Sequence, residues 1–440
     1  MNKKLLLLSL LLVVGLFVSC SSDDSTEKPV IPVIKEPLPI TISELTSDFL
    51  IIGQNLEIKG INLANKDYPT VVLLNDTEPV VAKEVTETKI VLPITDAIKV
   101  GTNSVRIQIN KTLSARANFF VMKKGWNKLN GLGTYDVLTS NVFDDSNSVF
   151  SFADSDTRDF GFWGFPAKLQ GTSEGLTRTA VKQNGGSYGA FKMVNDNIGV
   201  LTSTNAATYS NSGFENSNST TVESSFSPAI NGLNIGYADQ NTSIVTTFRG
   251  GQLYTADNGA TVIKSEPLKW TARGNYYRAS ITTFKKSSNG KFYQLGIIND
   301  YAKEGSNKHR NVVLESATGY SDWTVIDTIS KANLNISYTY KFLNINNILT
   351  IDTTNKTLVA STDMLKTWNV IKTDVKNIFL RTETQWYIVS GDKIYVTKDS
   401  GATWELELEL PADSSVNEIS FSKTKIIVSG NKGLHYLKLE

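Results

Sequence analysis

Five aromatic side chains are the residues best suited to hold a ligand. They are Phe162, Trp163, Trp270, Tyr276 and Tyr277. Aromatic faces stack against the pyranose rings of sugars, while amides and carboxylates bind the sugar hydroxyls. We therefore predict a glycan-binding surface built on these residues. Each of them could instead pack in a core, as aromatic residues in strands usually do.

The residue types that catalysis and metal binding need are scarce. The chain has two histidines, His309 and His435, and one cysteine, Cys20. Nucleophilic triads and zinc sites require such groups to be brought together. No P-loop or dinucleotide motif occurs. We therefore assign no catalytic residue, and we predict neither a metal site nor a cofactor.

A stretch near the carboxyl end indicates how the chain is built. Residues 393–398 read as a strand, Asp399 and Gly401 form a tight turn, and Trp404 lies where the next strand begins. An Asp side chain accepts hydrogen bonds from backbone N–H groups two residues further on, and Gly adopts positive φ without steric cost. Trp404 then covers the hairpin from one side.

The same frame, Ser/Thr-x-Asp-x-Gly-x-Thr-Trp, recurs with substitutions. Its further copies contain Asp257 and Gly259, Asp363 and Trp368, and residues 316–323. The first lacks only the Trp, the second lacks only the Gly, and the third has Thr at the Asp position. A recurring small sheet is typical of a repeat architecture, because one such sheet cannot bury its own face.

This frame resembles the Asp-box, or BNR repeat, of sialidase-like β-propellers, and residues 397–404 match it completely. The resemblance implies that the Asp, Gly and Trp of each copy are structural and lie on the outer rim. Residues 124–440 allow six or seven blades of about 40–50 residues each. The blades are predicted to centre on residues 135–165, 190–214, 235–262, 277–323, 340–368, 375–404 and 416–437. Residues 126–129 would supply the closing strand, and the Ser/Thr-rich residues 201–227 are predicted to form a long loop.

A sialidase-like glycosidase is the catalytic alternative that this resemblance implies. Such enzymes clamp a carboxylate with three arginines and use a Tyr nucleophile, a Glu and an Asp acid/base. The early Arg-Ile-Pro motif of that family is absent here, so we favour a protein without catalytic activity. The arginines of the region are Arg158, Arg178, Arg249, Arg273, Arg278, Arg310 and Arg381.

The first 37 residues read as a targeting and tethering segment. Lys3 and Lys4 precede an apolar run over residues 5–18, which is typical of a signal peptide and too short to span a bilayer. The Phe-Val-Ser that precedes Cys20 resembles a bacterial lipobox, which implies a lipid on Cys20. We predict a signal peptide over 1–19 and an acidic, Pro-rich tether over 20–37. An ordinary signal peptide with an unmodified Cys is the alternative.

Residues 38–123 are predicted to form a separate domain. Six or seven strand-like runs with turns at short intervals favour an Ig-like β-sandwich. The stretch at residues 53–63, Gly-Gln-Asn-Leu-Glu-Ile-Lys-Gly-Ile-Asn-Leu, resembles the signature of IPT/TIG domains. The resemblance implies a spacer that orients the larger domain after it.

The fold prediction is therefore all-β, with an Ig-like (TIG) sandwich followed by a six- or seven-bladed β-propeller with Asp-box hairpins. The formal charge of the chain is +1, and so small a balance gives no reason to expect a nucleic acid partner. A membrane would be contacted through the N-terminal lipid only.

The order of lipid, stalk, spacer and broad domain resembles cell-surface glycan-binding lipoproteins of Bacteroidetes-type bacteria. It implies a non-catalytic outer-membrane protein that captures glycans at the cell surface, with the periplasmic face as the other location. A scaffold or assembly factor that binds a surface protein is the alternative, because the photosystem II assembly-factor propellers are similar in blade pattern.

Overall fold

The structure is a computed structural model. It describes residues 38–154, 164–180, 188–203, 206–214, 219–223, 234–246, 252–265, 283–287, 289–299, 309–329, 341–344, 346–363 and 366–440. Every regular element in these ranges is a β-strand, as the all-β prediction requires. These ranges contain no helix long and apolar enough to cross a membrane. Residues 39–440 form one compact unit.

The amino-terminal part of this unit consists of two sheets that share a core. One sheet has the order β1-β3-β7-β6 and contains β1 (Thr41–Leu45), β3 (Asn55–Ile61), β6 (Glu84–Val85) and β7 (Lys89–Pro93). The other has the order β2-β10-β8-β4-β5, with β9 beside β8, and contains β2 (Phe49–Ile51), β4 (Thr70–Leu74), β5 (Glu78–Val80), β8 (Gly101–Ile109), β9 (Thr112–Leu113) and β10 (Ala117–Met122).

Alternating side chains fill the space between these two sheets. Leu56 and Ile58 of β3 pack against Val105 and Ile107 of β8, and all four are fully buried. This period of two follows from the strand pleat, which sends successive side chains to opposite faces. The described sandwich has ten strands, whereas six or seven were predicted. The additional strands have two or three residues each, which is too short for a recognisable periodicity.

The rest of the unit consists of antiparallel sheets that form seven four-stranded blades within the described residues. The first two blades are joined into one eight-stranded sheet by a single bridge between Gly164 and Tyr188. Blade one contains β12 (Val137–Val142), β13 (Ser148–Asp154), β14 (Gly164–Thr172) and β15 (Gly175–Ala180), and blade two contains β16 (Tyr188–Met193), β17 (Gly199–Ser203), β18 (Ala206–Ser210) and β19 (Ser219–Glu223). Blade three contains β20 (Asn234–Tyr237), β21 (Ser243–Thr246), β22 (Gln252–Thr255) and β23 (Ile263–Ser265), and blade four contains β24 (Thr283–Lys286), β25 (Phe292–Asn299), β26 (His309–Ser316) and β27 (Thr324–Ile329).

The remaining blades complete the ring, and the last one is assembled from both ends of the region. Blade five contains β28 (Lys341–Phe342), β29 (Ile348–Asp352), β30 (Thr357–Ser361) and β31 (Asn369–Lys372), and blade six contains β32 (Asn377–Leu380), β33 (Trp386–Ser390), β34 (Lys393–Thr397) and β35 (Glu405–Glu409). Blade seven contains β36 (Val416–Phe421), β37 (Lys425–Gly430), β38 (His435–Leu439) and β11 (Gly125–Lys128). The predicted propeller with six or seven blades is confirmed, and the described blades number seven.

The closing strand lies where the sequence predicts it. β11 pairs antiparallel with β38, with Trp126 opposite Lys438. The indole N–H of Trp126 donates to Glu407 Oε1 at 3.0 Å, and Lys438 Nζ donates to the same oxygen at 2.7 Å. The strand before the first blade is thus attached to both the sixth and the seventh.

The loop predicted over residues 201–227 is wrong in large part. This range contains β18 and β19, which pair in antiparallel register. The hydroxyls of Thr208 and Thr221 lie 3.1 Å apart across the pair. A high Ser/Thr content suggests a loop, but Thr is β-branched and fits an outer strand whose side chains need little burial.

Strand direction distinguishes the two faces of the ring. In an antiparallel blade, the turn between strands one and two lies at the same end as the turn between strands three and four. Contacts between the two turns bear this out, because the backbone N–H of Asn258 donates to the carbonyl of Asn241 at 3.1 Å. We call the side that carries these turns the front face.

Candidate functional site

The first strands of the blades surround a central cavity that opens toward the front face. Its volume is about 310 Å³. Six first strands line it, from β16, β20, β24, β28, β32 and β36, so no single blade could form it alone. We call it the channel cavity, and its lining residues are Lys192, Ile235, Gly236, Tyr237, Phe284, Lys285, Lys341, Phe342, Phe379, Leu380, Glu418 and Ile419.

Positive charge predominates in the channel cavity. Three lysines, Lys192, Lys285 and Lys341, face one carboxylate, Glu418. Within the described part of the chain, no direct ion pair joins Glu418 to Lys192 or Lys341. Lys285 Nζ donates to the carbonyl of Phe342 at 2.9 Å. The lysine charges are therefore only partly compensated by the protein.

The surrounding blades alter the titration of these groups. The Lys192 side chain is accessible to water in the cavity, and many protein atoms of the surrounding blades lie near it. This desolvation lowers the pKa of Lys192, and the nearby charge of Glu418 partly opposes the shift. Desolvation likewise raises the pKa of Glu418, against the effect of Lys341 and Lys192. Three charges on three different blades thus influence one another inside the cavity.

The walls between the charged groups are apolar. Phe284, Phe342 and Phe379 are nearly fully buried and belong to the lining of the cavity. Lys341 Nζ lies 5.5 Å from the ring centre of Phe379, within cation–π range. At Gly236, an added Cβ would lie 2.7 Å from Phe284 Cβ, so the glycine lets the third and fourth blades approach closely beside the cavity.

A groove rich in amide groups continues from the channel cavity across the front face. It has a volume of about 680 Å³ and shares Lys285 and Phe342 with the cavity. Its other lining residues are Lys286, Ser287, Tyr293, Leu343, Asn344, Asn346, Asn347, Thr362 and Glu383. Asn344 Oδ1 accepts hydrogen bonds from the backbone of Asn346 and Asn347, both at 3.0 Å. This turn places Asn346 at the exposed surface. We call this the asparagine groove.

A second groove lies on the front face between blades one, two and seven. It has a volume of about 750 Å³ and is lined by Asp144, Asp145, Asp196 and neighbouring residues. Asp144 has a structural role, because it accepts hydrogen bonds from the backbone N–H and the hydroxyl of Thr424 at 2.7 and 2.8 Å. No cluster of three His, Cys, Asp or Glu side chains that could hold a metal ion is found in the described residues.

The aspartate turns lie at the outer edge of the front face, between the third and fourth strands. The backbone N–H of Thr403 donates to Asp399 Oδ1 at 2.9 Å, and its hydroxyl donates to Oδ2 at 2.6 Å. The predicted partner, two residues on, is wrong, because the carboxylate instead spans the turn to the fourth residue. These bonds from Thr403 lower the pKa of Asp399 to about 2. Asp363 and Thr367 repeat the arrangement, and Asp257 and Thr261 share its backbone bond.

The solved structures that are similar to this chain share its fold at low sequence identity. The structure of YCF48 bound to D1 peptide matches with a TM-score of 0.50 and 12% identity, over 72% of this chain and 97% of that one. YCF48 from Cyanidioschyzon merolae matches with a TM-score of 0.50 and 15% identity, over 72% and 98%. A catalytically inactive virginiamycin B lyase from Staphylococcus aureus, with quinupristin, has a TM-score of 0.46 and 13% identity, over 72% and 99%.

The fold is that of a β-propeller. At identities this low, the similarity shows the fold and nothing further. No family model matches the chain, and no curated protein sequence matches it.

The propeller brings together residues that sequence reasoning did not select. All five aromatic candidates, Phe162, Trp163, Trp270, Tyr276 and Tyr277, lie outside the described residues, as does Cys20. The lysines of the channel cavity were missed because each lies in an ordinary short strand. The one available signal was that each lies in the first strand of its blade, in blades two, four and five.

Each of the propeller residues Arg178, Arg381 and His435 has structural partners among the described residues. Arg381 donates to Glu440 and to the carbonyl of Ser422, and Arg178 lies over the ring of Phe165. Neither arginine lines the channel cavity. His435 is fully buried between blades one and seven, with Nε2 at 3.1 Å from Ser140 Oγ, and it lines neither the channel cavity nor the two grooves.

Proposed function

We propose that this protein is a lipid-anchored binding protein of the outer membrane that captures glycans at the cell surface with the front face of its propeller. The observation that carries the proposal is the continuity of the channel cavity with the asparagine groove through Lys285 and Phe342. Ligand sites of this kind are concave, with apolar walls and a few convergent polar groups.

The side chains of the asparagine groove have the chemistry that sugar recognition needs. Asn346, Ser287 and Thr362 supply both donors and acceptors, which matches the mixed character of sugar hydroxyls. The turn at Asn344 fixes the backbone of the loop, so less conformational entropy is lost when a ligand binds. A linear saccharide lying in the groove would end over the channel cavity.

A protein or peptide partner is the second candidate. The fold neighbour YCF48 was solved bound to D1 peptide, which supports a peptide as a ligand for a propeller of this kind. Backbone amides of a peptide could also bind the asparagine side chains. Binding of the two kinds of ligand should depend on the groove to different extents. Sugar hydroxyls would rely on the side-chain amides more than an extended peptide would.

The binding proposal is tested with the full-length protein in detergent on a glycan array, followed by calorimetry with the ligands found. We expect binding without release of sugar, and we expect Asn346→Ala to weaken it at least tenfold. The matched control is Asn65→Ala, because Asn65 lies in the sandwich away from the propeller. Turnover would revive the sialidase-like alternative. Absence of all glycan binding, with capture of one outer-membrane protein at the same groove, would replace the proposal with the scaffold alternative.

The anchoring part of the proposal rests on Cys20, the only cysteine of the chain. Mass spectrometry of the mature amino terminus should find lipid on Cys20, and Cys20→Ser should release the protein from membranes. Several acyl chains on one residue hold a protein far more firmly than a single chain does. Protease treatment of intact cells then separates the cell surface from the periplasmic face. An unlipidated amino terminus in the wild-type protein would contradict the anchor.

A further inference from the structure

The channel cavity has more positive charge than the protein itself compensates. Three lysines and one glutamate line it, which leaves an excess of two positive charges among the lining residues. Water reaches Lys192 and Lys285, so these charges can be solvated until an anion replaces the water. Of the three lysines, Lys285 donates to a backbone carbonyl and Lys341 lies over an aromatic ring. Neither contact supplies a negative charge.

The arrangement of these lysines is suited to one small anionic group. They project from blades two, four and five, so they converge on the cavity from less than half of the ring, on the side opposite Glu418 of blade seven. The cavity of about 310 Å³ holds a group of a few heavy atoms with its water, but it is too small for a folded chain. The protein around Lys192 partly desolvates this side chain, and charges attract each other more strongly where less water surrounds them.

We infer that the channel cavity binds an oxyanion, a carboxylate or a sulfate ester, carried by the saccharide that lies in the asparagine groove. This rests on the proposed function, and it narrows the ligand to acidic glycans. Lysine suits this role as a mobile point charge that can approach an anion from several directions. Glu418 lies opposite as the one negative group of the lining, and its charge would weaken the binding of an anion in the cavity.

The shared Lys285 links the two parts of the site. It lines both the channel cavity and the asparagine groove. Desolvation lowers the pKa of Lys285, and the charge of Glu383, which also lines the groove, partly opposes this shift. Its side chain is exposed to solvent at the junction. The sugar hydroxyls would therefore bind the amides, while the acidic substituent enters the cavity. Tyr237 is the remaining titratable group of the lining, and burial raises its pKa, which keeps it neutral.

The test measures binding of matched oligosaccharides of one length: a neutral galactan, an oligogalacturonate and a sulfated galactan. The full-length protein in detergent is titrated with each by calorimetry at fixed ionic strength. We expect an acidic member to bind at least tenfold more tightly than the neutral one, and the identity of that member distinguishes carboxylate from sulfate. The double variant Lys192→Met/Lys341→Met should lose the preference. The control Lys66→Met/Lys366→Met removes the same charge from exposed positions outside the cavity and should keep it.

The variant Glu418→Gln has an expected result that misfolding cannot produce. Removing the one carboxylate of the lining should tighten binding of the acidic ligand about tenfold, and a gain in affinity cannot come from a damaged fold. Equal affinity for neutral and acidic members would overturn the inference and leave the proposed function intact. Unchanged affinity in both Glu418→Gln and the double lysine variant would overturn it as well.

A second readout separates failure of the inference from failure of the proposed function. If none of the oligosaccharides binds, the thermal midpoint is measured in sodium sulfate and in sodium chloride of equal ionic strength. Sulfate stabilises proteins in general by exclusion from their surface, so only the difference between variants is informative. A larger gain for the wild type than for the double lysine variant would support the oxyanion site without the sugar. Equal gains would overturn it.

Discussion

His435 is a buried base that the fold holds neutral. Its Nε2 lies 3.1 Å from Ser140 Oγ and 3.4 Å from Ser151 Oγ, and Ser140 and Ser151 are 2.9 Å apart. The three side chains join β38 of the last blade to β12 and β13 of the first. Burial lowers the pKa of His435 from 6.5 to about 3, because no nearby carboxylate compensates an imidazolium there. Its Nδ1 has no hydrogen-bond partner among the described residues.

This histidine should make the stability of the propeller depend on pH. The unfolded chain takes up a proton at His435 below pH 6.5, whereas the folded chain does not do so until about pH 3. Stability is therefore fully present above pH 6.5 and falls as the pH drops, by at most about 1.4 kcal/mol per pH unit. Urea unfolding at pH 7.5, 6 and 5 measures the slope. His435→Gln should remove most of it, and an equal slope in both proteins would show that other groups are responsible.

At the scale of single residues, the sequence predicts some functional and structural positions and not others. Asp399 was found because its turn is local, and the seven residues 397–403 contain the hydrogen bonds of its side chain. Lys192 was missed because it becomes unusual only when six first strands meet around one axis. Nothing within its own strand differs from an ordinary polar position. A turn is determined by neighbouring residues, whereas a cavity depends on contacts between residues that are hundreds of positions apart in the chain.

At the scale of the element, each aspartate turn packs against other parts of the ring. Gly259 has φ of 86°, and a Cβ there would lie 2.3 Å from the Cβ and Cγ of Tyr209 in the preceding blade. Gly401 has φ of 93°, and a Cβ there would lie 2.7 Å from Ile371 Cγ2, a methyl group of the preceding blade. The turns therefore help to fix neighbouring blades, in addition to closing their own hairpins.

The two contacts differ in rigidity, so replacing the glycine by alanine should destabilise the protein to different extents at the two turns. Gly259→Ala should destabilise the protein by about 2–4 kcal/mol, since both the positive φ and the rigid Cβ of Tyr209 oppose the new methyl group. Gly401→Ala should cost about 1–2 kcal/mol, because the Ile371 methyl can rotate away. Gly290→Ala is the control, with φ of 82° and open space around it, so it reports the backbone cost alone. Calorimetric unfolding that ranks Gly401→Ala above Gly259→Ala would refute the packing argument.

The whole molecule is organised by a docking contact between the sandwich and the first blade. Phe49 and Phe120 stack with ring centres 5.8 Å apart, against the hairpin of β14 and β15. A Cβ on Gly171 would lie 2.6 Å from the ring of Phe49, and one on Gly175 would lie 2.9 Å from the ring of Phe120. The backbone N–H of Ser173 donates to Asp48 Oδ2 at 3.2 Å. The two rings therefore fit onto two residues that have no side chains.

This contact implies that the sandwich is a rigid support for the propeller and not a flexible spacer. Phe49 and Met122 belong to the same buried cluster as Leu129, Val149 and Leu169 of the blades, so one apolar core crosses the junction. The hairpin that receives the sandwich carries a front-face turn, which ties the sandwich to the side where the channel cavity opens. A sequence with separate domain signatures could not reveal this, since the contact depends on glycines far along the chain from the aromatic pair.

Loss of the aromatic pair should uncouple the two parts. We expect the wild-type protein to unfold in one calorimetric transition, because burial of Phe49 and Phe120 at the junction stabilises both sides. Phe49→Ala/Phe120→Ala should lose about 3–5 kcal/mol per ring, split the transition in two and increase the radius of gyration in X-ray scattering. Val81→Ala is the control, because Val81 belongs to the sandwich and is 88% exposed. A single transition and an unchanged radius in the double variant would show that the remaining contacts across the junction suffice to hold the propeller in place.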